Sequence, residues 1–203
     1  MHHAHPTILE TRVWQWADEA ACAAFAQRLA RQAGLTGAFL TLHGPLGAGK
    51  TTFVRHLLRA LGVEGRIKSP TYTVMEPHHA RGLDIAHFDF YRFNDPREWE
   101  DAGFRDVFAG PGLKLAEWPD KAAGALPMPD LALHISPQDP GPAHGAQGRT
   151  QYKPEDIVQR AAADQRDLAA DDAADLTSSP REVRVEAMTP TGLQLLAALA
   201  GAA

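Results

Sequence analysis

The stretch from Gly44 to Thr51 restricts the fold of this chain more than any other feature of the sequence. It has the spacing G-x-x-x-x-G-K-S/T, in which the glycines let successive backbone N–H groups point at a single anion. The apolar run Phe39–His43 precedes it, and Lys50–Leu61 carries apolar residues four apart, as an amphipathic helix does. A strand, a glycine-rich loop and a helix in this order are the context in which the pattern binds phosphate. The sequence therefore predicts a P-loop.

The side chains of this loop have distinct expected roles toward a nucleoside triphosphate. Lys50 would place its ammonium group between the β- and γ-phosphates, and the Thr51 hydroxyl would bind Mg²⁺. Thr52 would offer a further hydroxyl and a backbone N–H to the α-phosphate. The predicted cofactors are therefore ATP or ADP with Mg²⁺. The other loop residues expected to contact the phosphates are Leu46, Gly47, Ala48 and Gly49.

Composition narrows the class of protein. With 44% hydrophobic and 22% charged residues, the chain has the make-up of an ordinary globular domain. Its formal net charge of -5 argues against a protein that mainly grips a nucleic-acid backbone, so no DNA partner is expected. Cys22 is the only cysteine, which excludes an internal disulfide and fits a reducing cytosol. No segment approaches the roughly 20 apolar residues of a membrane-spanning helix. We therefore expect a cytoplasmic protein that does not contact a membrane.

Two acidic residues are candidates for completing a metal site. A carboxylate at the end of a strand next to the P-loop normally faces the metal from the other side. Glu117 follows the run Leu113–Ala116, and Asp89 follows the run Ile85–Phe88. Each acid could instead cap a loop or pair with a nearby basic side chain. The position after an apolar strand favours a functional role, more for Glu117 than for Asp89.

The segment Ser69–Thr73 interrupts an extended stretch with several hydroxyl groups around Pro70. Nucleotide-dependent switches use a loop hydroxyl to sense Mg²⁺ and the γ-phosphate. The same residues also suit an ordinary strand edge that contains a proline. Both interpretations stay open.

The remaining pattern predicts alternating helices and strands. An alanine-rich helix is expected from Asp18 to about Gln32, and an N-terminal helix signal occurs at Asp95–Glu98. Residues 67–76 and 83–92 are predicted to form a hairpin, residues 131–135 and 183–187 an antiparallel pair, and residues 191–199 a final helix. Lys114 interrupts the run before Glu117, which suggests a sheet edge or an ammonium group that reaches solvent.

A polar segment lies between the last two predicted strands. Residues 136–180 are rich in Asp, Ala, Gln and Pro and contain few large apolar side chains. Such a composition buries too little surface to offset the entropy lost on ordering. The predicted organisation is therefore a single P-loop domain, residues 1–203, with a mobile insertion at 136–180.

Four sequence blocks together resemble the TsaE family, the tRNA threonylcarbamoyladenosine biosynthesis ATPases of bacteria. The first block is shared by many NTPases, whereas the set of four in this order and spacing is specific. The resemblance covers about residues 10–135 and resumes near Arg181. The blocks are Leu46–Phe53 (LGAGKTTF), Lys68–Thr73 (KSPTYT), His87–Arg92 (HFDFYR) and Glu117–Pro119 (EWP).

The resemblance implies a fold and a set of site residues. The fold is a three-layer α/β P-loop fold with a mostly parallel central sheet and an antiparallel extension. Lys50, Asp89 and Glu117 would be the catalytic residues, with Asp89 placing the attacking water beside the γ-phosphate. The metal ligands would be Thr51 and Glu117. The further residues implied at the nucleotide are Thr71 as the switch residue, Glu19 and Arg181 as contacts, and Trp118 at the flank of the site.

The resemblance also implies a function. The protein would hydrolyse ATP in a complex with TsaB and TsaD, which transfers a threonylcarbamoyl group to an adenosine beside the anticodon of tRNA. Contact with tRNA would be indirect, through that complex. Two alternatives stay open: a P-loop small-molecule kinase and a non-catalytic, nucleotide-gated binding module. The acidic, alanine-rich insertion disfavours the arginine-bearing lid of a kinase, and the presence of both Asp89 and Glu117 disfavours the module.

Overall fold

The computed structural model describes residues 7–93, 99, 102–138 and 179–201. The described strands form one seven-stranded sheet in the order β1-β7-β6-β2-β5-β4-β3. Their bounds are Glu10–Trp16 (β1), Phe39–His43 (β2), Met75–Ala80 (β3), Leu83–Asp89 (β4), Leu113–Glu117 (β5), Leu131–Pro137 (β6) and Arg181–Ala187 (β7).

The helices begin and end at residues that suit those positions. The helices are Glu19–Ala30 (α1), Lys50–Leu61 (α2), Phe104–Ala109 (α3) and Pro190–Ala200 (α4), with 3-10 turns at Ala33–Gly37 and Pro119–Ala122. Asp18 caps α1 by accepting a hydrogen bond from the Ala21 N–H, and Thr189 caps α4 in the same way. Gly62 ends α2 in the left-handed conformation, where glycine lacks the strain of a β-carbon. No helix in the described ranges is long and apolar enough to cross a membrane.

The strands at the centre of the sheet are parallel, and the strands toward both of its edges pair antiparallel. Strand β2 lies between β5 and β6 and is parallel to both, and β4 is parallel to β5. The hairpin β3–β4 extends one side, and the antiparallel strands β7 and β1 extend the other. The predicted fold class, the hairpin and the antiparallel pairing of β6 with β7 are therefore confirmed.

Two apolar clusters cover the two faces of the sheet and make the three layers. The larger cluster joins α1, α2 and α4 to the sheet, with Phe25 and Phe53 among its fully buried side chains. The second cluster is rich in aromatic rings and includes Phe88, Phe90 and Phe104. Because both faces are covered, the central strands β2 and β5 are buried along nearly their whole length, as parallel strands usually are.

Several local features differ from the predictions. No element was predicted at Glu10–Trp16, which forms β1. The first hairpin strand begins at Met75 and not at residue 67, and the second ends at Asp89 and not at residue 92. Residues 71–73 form a turn that ends at Val74, whose φ is 64°. The predicted helix start at 95–98 and most of the insertion, residues 139–178, lie outside the described residues.

Lys114 does not lie at a sheet edge. Its strand, β5, runs between β2 and β4, and the side chain is only 5% exposed. The ammonium group donates a hydrogen bond to the carbonyl of Gly110, the residue that ends α3. A cation at the carboxyl end of a helix meets the negative end of the helix dipole. Burial lowers the pKa of Lys114 from its usual value.

Candidate nucleotide site

The glycine-rich loop connects the end of β2 to the first residue of α2. Gly44 has a φ of 142°, and a β-carbon at that position would lie 2.3 Å from the carbonyl oxygen of Ile135. Gly49 directly precedes α2 with a φ of 101°. These positions need glycine because a side chain would meet backbone atoms or adopt a disfavoured conformation. The tight loop brings its N–H groups and the positive end of α2 to one place, where an anion would be stabilised.

Lys50 lies across the mouth of this loop. Its side chain is 5% exposed, and its Nζ donates hydrogen bonds to the carbonyls of Gly44 at 2.8 Å and Pro45 at 2.9 Å. The same nitrogen lies 3.8 Å from the centroid of the Trp118 ring. Burial lowers the pKa of Lys50, while the nearby carboxylates of Glu117 and Asp89 act in the opposite direction. Lys50 therefore occupies an enclosed position between the loop backbone and an aromatic face.

Thr51 and Glu117 are in direct contact. The Thr51 hydroxyl donates to Oε2 of Glu117 at 2.9 Å, and Glu117 is only 1% exposed. This contact arises because β2 and β5 are parallel neighbours, so Glu117 ends its strand where the P-loop begins. A hydroxyl and a carboxylate are oxygen ligands of the kind that Mg²⁺ takes. The described residues contain no cluster of three or more His, Cys, Asp or Glu that could hold a metal ion by itself. An ion here would therefore need phosphate oxygens and water as further ligands, as Mg²⁺ commonly has.

Asp89 lies next to Glu117 at the same end of the sheet. The two residues are register partners on β4 and β5, and Asp89 is 3% exposed. Its Oδ2 accepts hydrogen bonds from the hydroxyls of Ser69 and Thr71, the latter at 2.7 Å. Its Oδ1 accepts from the backbone N–H of Tyr91 at 2.9 Å. The segment 69–73 is therefore not a strand edge. The hydroxyls of Ser69 and Thr71 bind it to the Asp89 carboxylate beside the loop.

Arg181 and Glu19, the two other predicted nucleotide contacts, lie in different places relative to the loop. Arg181 is buried at the start of β7, and its Nε donates to the carbonyl of Ala48 at 3.2 Å, so it contacts the loop backbone directly. Glu19 is exposed in the first turn of α1 and pairs with His56 of α2 at 2.9 Å. The structure thus brings Arg181 to the P-loop and places Glu19 beside the middle of α2.

Comparisons with known proteins identify the family of this chain. The family model described as threonylcarbamoyl adenosine biosynthesis protein TsaE matches residues 16–144. The chain belongs to the TsaE family. The match includes the P-loop, Asp89 and Glu117 and stops before Arg181.

Individual TsaE proteins show the same relationship. The chain is 46% identical over 98 residues to the "tRNA threonylcarbamoyladenosine biosynthesis protein TsaE" of Haemophilus influenzae. That match spans 48% of this chain and 62% of the Haemophilus protein, which is less than two thirds of its length. The TsaE protein of Bacillus subtilis is 39% identical over 109 residues, which are 51% of this chain and 68% of that protein. The crystal structure of Bacillus subtilis YdiB has the same fold, with a TM-score of 0.61 over 98% of each chain and 23% identity.

One buried residue at this TsaE site had no role in the sequence-based prediction. His87 lies in the block HFDFYR, is fully buried, and has its Nε2 2.9 Å from Oε1 of Glu117. A histidine in an apolar strand usually signals a packed core position. The available signal was strand alternation, since residues 87 and 89 of one strand point to the same face. Only the pairing of β4 with β5 shows that Glu117 lies on that face as well.

Two aromatic rings border the mouth of the site. Trp118 follows β5 in the left-handed conformation, with a φ of 56°, and its ring lies 5.1 Å from that of Tyr91. Tyr91 is 40% exposed and Tyr72 is 64% exposed. The N–H of Tyr91 and the hydroxyl of Thr71, which precedes Tyr72, both donate to Asp89. Trp118 thus lies at the flank of the loop, with its ring against the ammonium group of Lys50.

Proposed function

We propose that this protein is a Mg²⁺-dependent ATPase that supports the threonylcarbamoyladenosine modification of tRNA, acting with the TsaB–TsaD transferase. The observation that carries the proposal is the contact between Thr51 and Glu117 at the mouth of the P-loop. A glycine-rich turn that matched the pattern by chance would have no reason to place a buried carboxylate on its Thr hydroxyl. The membership of the TsaE family supplies the biological process.

In the proposed reaction each residue has a separate task. The loop N–H groups and the amino end of α2 bind the phosphates. Lys50 exchanges its hydrogen bonds to the Gly44 and Pro45 carbonyls for bonds to phosphate oxygens, which its long side chain allows. Mg²⁺, held by Thr51 and Glu117, would neutralise charge that develops on the phosphates. The enclosed position of these groups strengthens their electrostatic effect, because little water screens them.

Asp89 is the residue proposed to place the attacking water. Its carboxylate already accepts hydrogen bonds from Ser69 and Thr71, so the same group connects the switch segment to the reaction site. A nucleotide that competes for the Thr71 hydroxyl would weaken this bond and change the position of the segment. ATP binding and hydrolysis would then be communicated to the surface that includes the exposed ring of Tyr72.

The partners are proposed from the family and from charge. The relatives carry the name of a tRNA threonylcarbamoyladenosine biosynthesis protein, and this chain has a formal net charge of -5. Such a charge suits a subunit that acts on proteins and leaves contact with tRNA to them. We place the protein in the cytoplasm, where tRNA is modified, as a single ATPase domain with an insertion at 136–180.

Phosphate release by the full-length protein, measured with and without purified TsaB and TsaD, tests the proposal. We expect ATP hydrolysis that requires Mg²⁺ and rises when both partners are present. Phosphorylation of a metabolite without partners would instead indicate a kinase. Nucleotide binding without turnover, even with partners, would indicate a binding module. Either result would refute the ATPase assignment.

A further inference from the structure

His87 and Thr51 contact different carboxylate oxygens of Glu117. The Glu117 carboxylate receives the Thr51 hydroxyl at Oε2 and the His87 ring at Oε1, both at 2.9 Å. The two donors come from different elements, α2 and β4. The side chains of His87 and Glu117 are 0% and 2% exposed, so solvent does not compete for this contact. Both oxygens of the carboxylate are therefore fixed by the protein.

We propose that His87 is a positioning residue that sets the orientation of the Glu117 carboxylate for Mg²⁺. The inference rests on the proposed function, in which Glu117 is a metal ligand. His87 would touch neither nucleotide nor metal. It would act by restricting rotation of the carboxylate, so that Oε2 stays on the side of Thr51 and the P-loop.

A glutamate side chain has considerable rotational freedom. Glutamate has three rotatable bonds, and the last of them has a broad energy profile, so the carboxylate plane is poorly defined by local geometry alone. Mg²⁺ demands near-ideal placement of its oxygen ligands, which makes a loosely oriented carboxylate a poor ligand. Hydrogen bonds to the ligands of a metal raise its affinity because they hold those ligands in place before the metal binds. His87 makes a bond of this kind.

The surroundings of the ring indicate that it contributes through this one bond. With Glu117 as a carboxylate, which only accepts, the hydrogen of the bond is on Nε2. The other ring nitrogen, Nδ1, is buried and has no hydrogen-bond partner among the described residues. An apolar side chain would avoid the unpaired Nδ1 but would leave the buried Oε1 of Glu117 without the bond from His87. The bond to Glu117 is therefore the polar interaction that histidine makes at position 87 and that an apolar residue would not make.

The strand arrangement explains why this position can reach Glu117. Asp89 is the direct register partner of Glu117, and His87 is the partner of Leu115 on the same pair of strands. Strand alternation puts His87 and Asp89 on one face. The Asp89 carboxylate accepts hydrogen bonds from Ser69 and Thr71 and has no hydrogen to donate to Glu117, whereas the imidazole ring of His87 has one and reaches Oε1.

The test compares His87→Met with His87→Gln in the full-length protein. Met fills the space without a donor, whereas the amide nitrogen of Gln can take the position of Nε2. The measurement is the Mg²⁺ concentration that half-saturates binding of a fluorescent, non-hydrolysable ATP analogue. We expect His87→Met to raise this concentration by about 10- to 100-fold. For His87→Gln we expect a value close to that of the wild type.

Two controls separate positioning from a general loss of structure. His79→Met makes the same substitution at an exposed histidine of the neighbouring strand, which pairs with Asp84 at 2.7 Å, and it should leave the Mg²⁺ requirement unchanged. In a Glu117→Ala background, His87→Met should have no further effect on the Mg²⁺ requirement, because the residue it positions is gone. Equal effects of His87→Met in both backgrounds would overturn the inference.

Other outcomes distinguish this inference from the proposed function. If the wild type binds the analogue without any need for Mg²⁺, the proposed function fails and the inference fails with it. If the wild type requires Mg²⁺ and His87→Met requires no more of it, only the role of His87 is refuted. Should His87→Met not fold, ¹⁵N NMR of the wild-type imidazole decides instead: the proton must be on Nε2, and a proton found only on Nδ1 would exclude the bond to Glu117.

Discussion

Replacing Thr51 by Val tests the contact on which the proposed function depends. Val keeps the branched shape of Thr and has a methyl group in place of the hydroxyl. That hydroxyl donates at 2.9 Å to the Glu117 carboxylate, which is 1% exposed, so water cannot readily take its place. The variant should therefore lose stability even before any ligand is added.

The size of the effect follows from the kind of bond that is lost. Hydrogen bonds to charged groups contribute about 1.5–3 kcal/mol to stability. In a chain of this size a change of 1 kcal/mol shifts the melting temperature by roughly 2–4 °C. Thr51→Val should therefore lower the melting temperature by roughly 3–12 °C in the absence of nucleotide. Thr51→Ser keeps the donor and is the matched control, with a smaller shift from the lost methyl group.

Thermal unfolding followed by circular dichroism measures this shift, and the same assay reports the response to ligands. A ligand at 100 times its Kd adds about 2.7 kcal/mol of stability to the protein that binds it. The wild type and Thr51→Ser should gain stability from ATP with Mg²⁺ beyond that from ATP with EDTA, whereas Thr51→Val should lose this difference. If Thr51→Val melts at the wild-type temperature and retains the full response to Mg²⁺, Thr51 is neither a partner of Glu117 nor a metal ligand.

Three further predictions use other features of the structure. Lys50→Ala should abolish ATP binding or hydrolysis because it removes the ammonium group at the loop mouth; full turnover by this variant in a phosphate-release assay would contradict the site assignment. Burial raises the pKa of Cys22 to about 12, so its thiol should stay protonated at pH 8. An alkylating reagent should therefore modify Cys22 only after the protein is unfolded. Rapid modification of the native protein, detected by mass spectrometry, would refute this prediction. The N–H of Gln138 donates to the carbonyl of Pro180 at 2.8 Å, so replacing residues 139–178 by Asn-Gly should leave a short hairpin connection. The shortened protein should unfold cooperatively and bind ATP with Mg²⁺. A broad, non-cooperative denaturant transition would show that the insertion is needed for folding.

The parts of the site that depend on short-range pattern could be predicted. Gly44 and Gly49 have positive φ values that a loop of this spacing requires, and Lys50 begins a helix whose apolar face was visible in the sequence. The positions of Asp89 and Glu117 at strand ends also followed from their apolar runs. The parallel pairing of β4 with β5, which the sequence did not predict, then brings these two residues together.

The parts of the fold and the site that depend on residues far apart in sequence could not be predicted. The strand Glu10–Trp16 mixes polar and apolar residues, and it becomes a strand through pairing with Arg181–Ala187 at the other end of the chain. The segment 69–73 was ambiguous because its hydroxyls could serve a strand edge or a carboxylate, and the carboxylate they contact is Asp89.

The sequence by itself determined the conformation of the glycine-rich loop, because backbone conformation at glycines and the start of a helix depend on neighbouring residues. It also determined the family, through four short blocks in a fixed order. Only the tertiary structure decided which side chains meet. His87 reaches Glu117 across thirty residues of sequence, and Arg181 reaches the carbonyl of Ala48 across 133. Such contacts are set by the order and register of the strands, and no local pattern encodes that order.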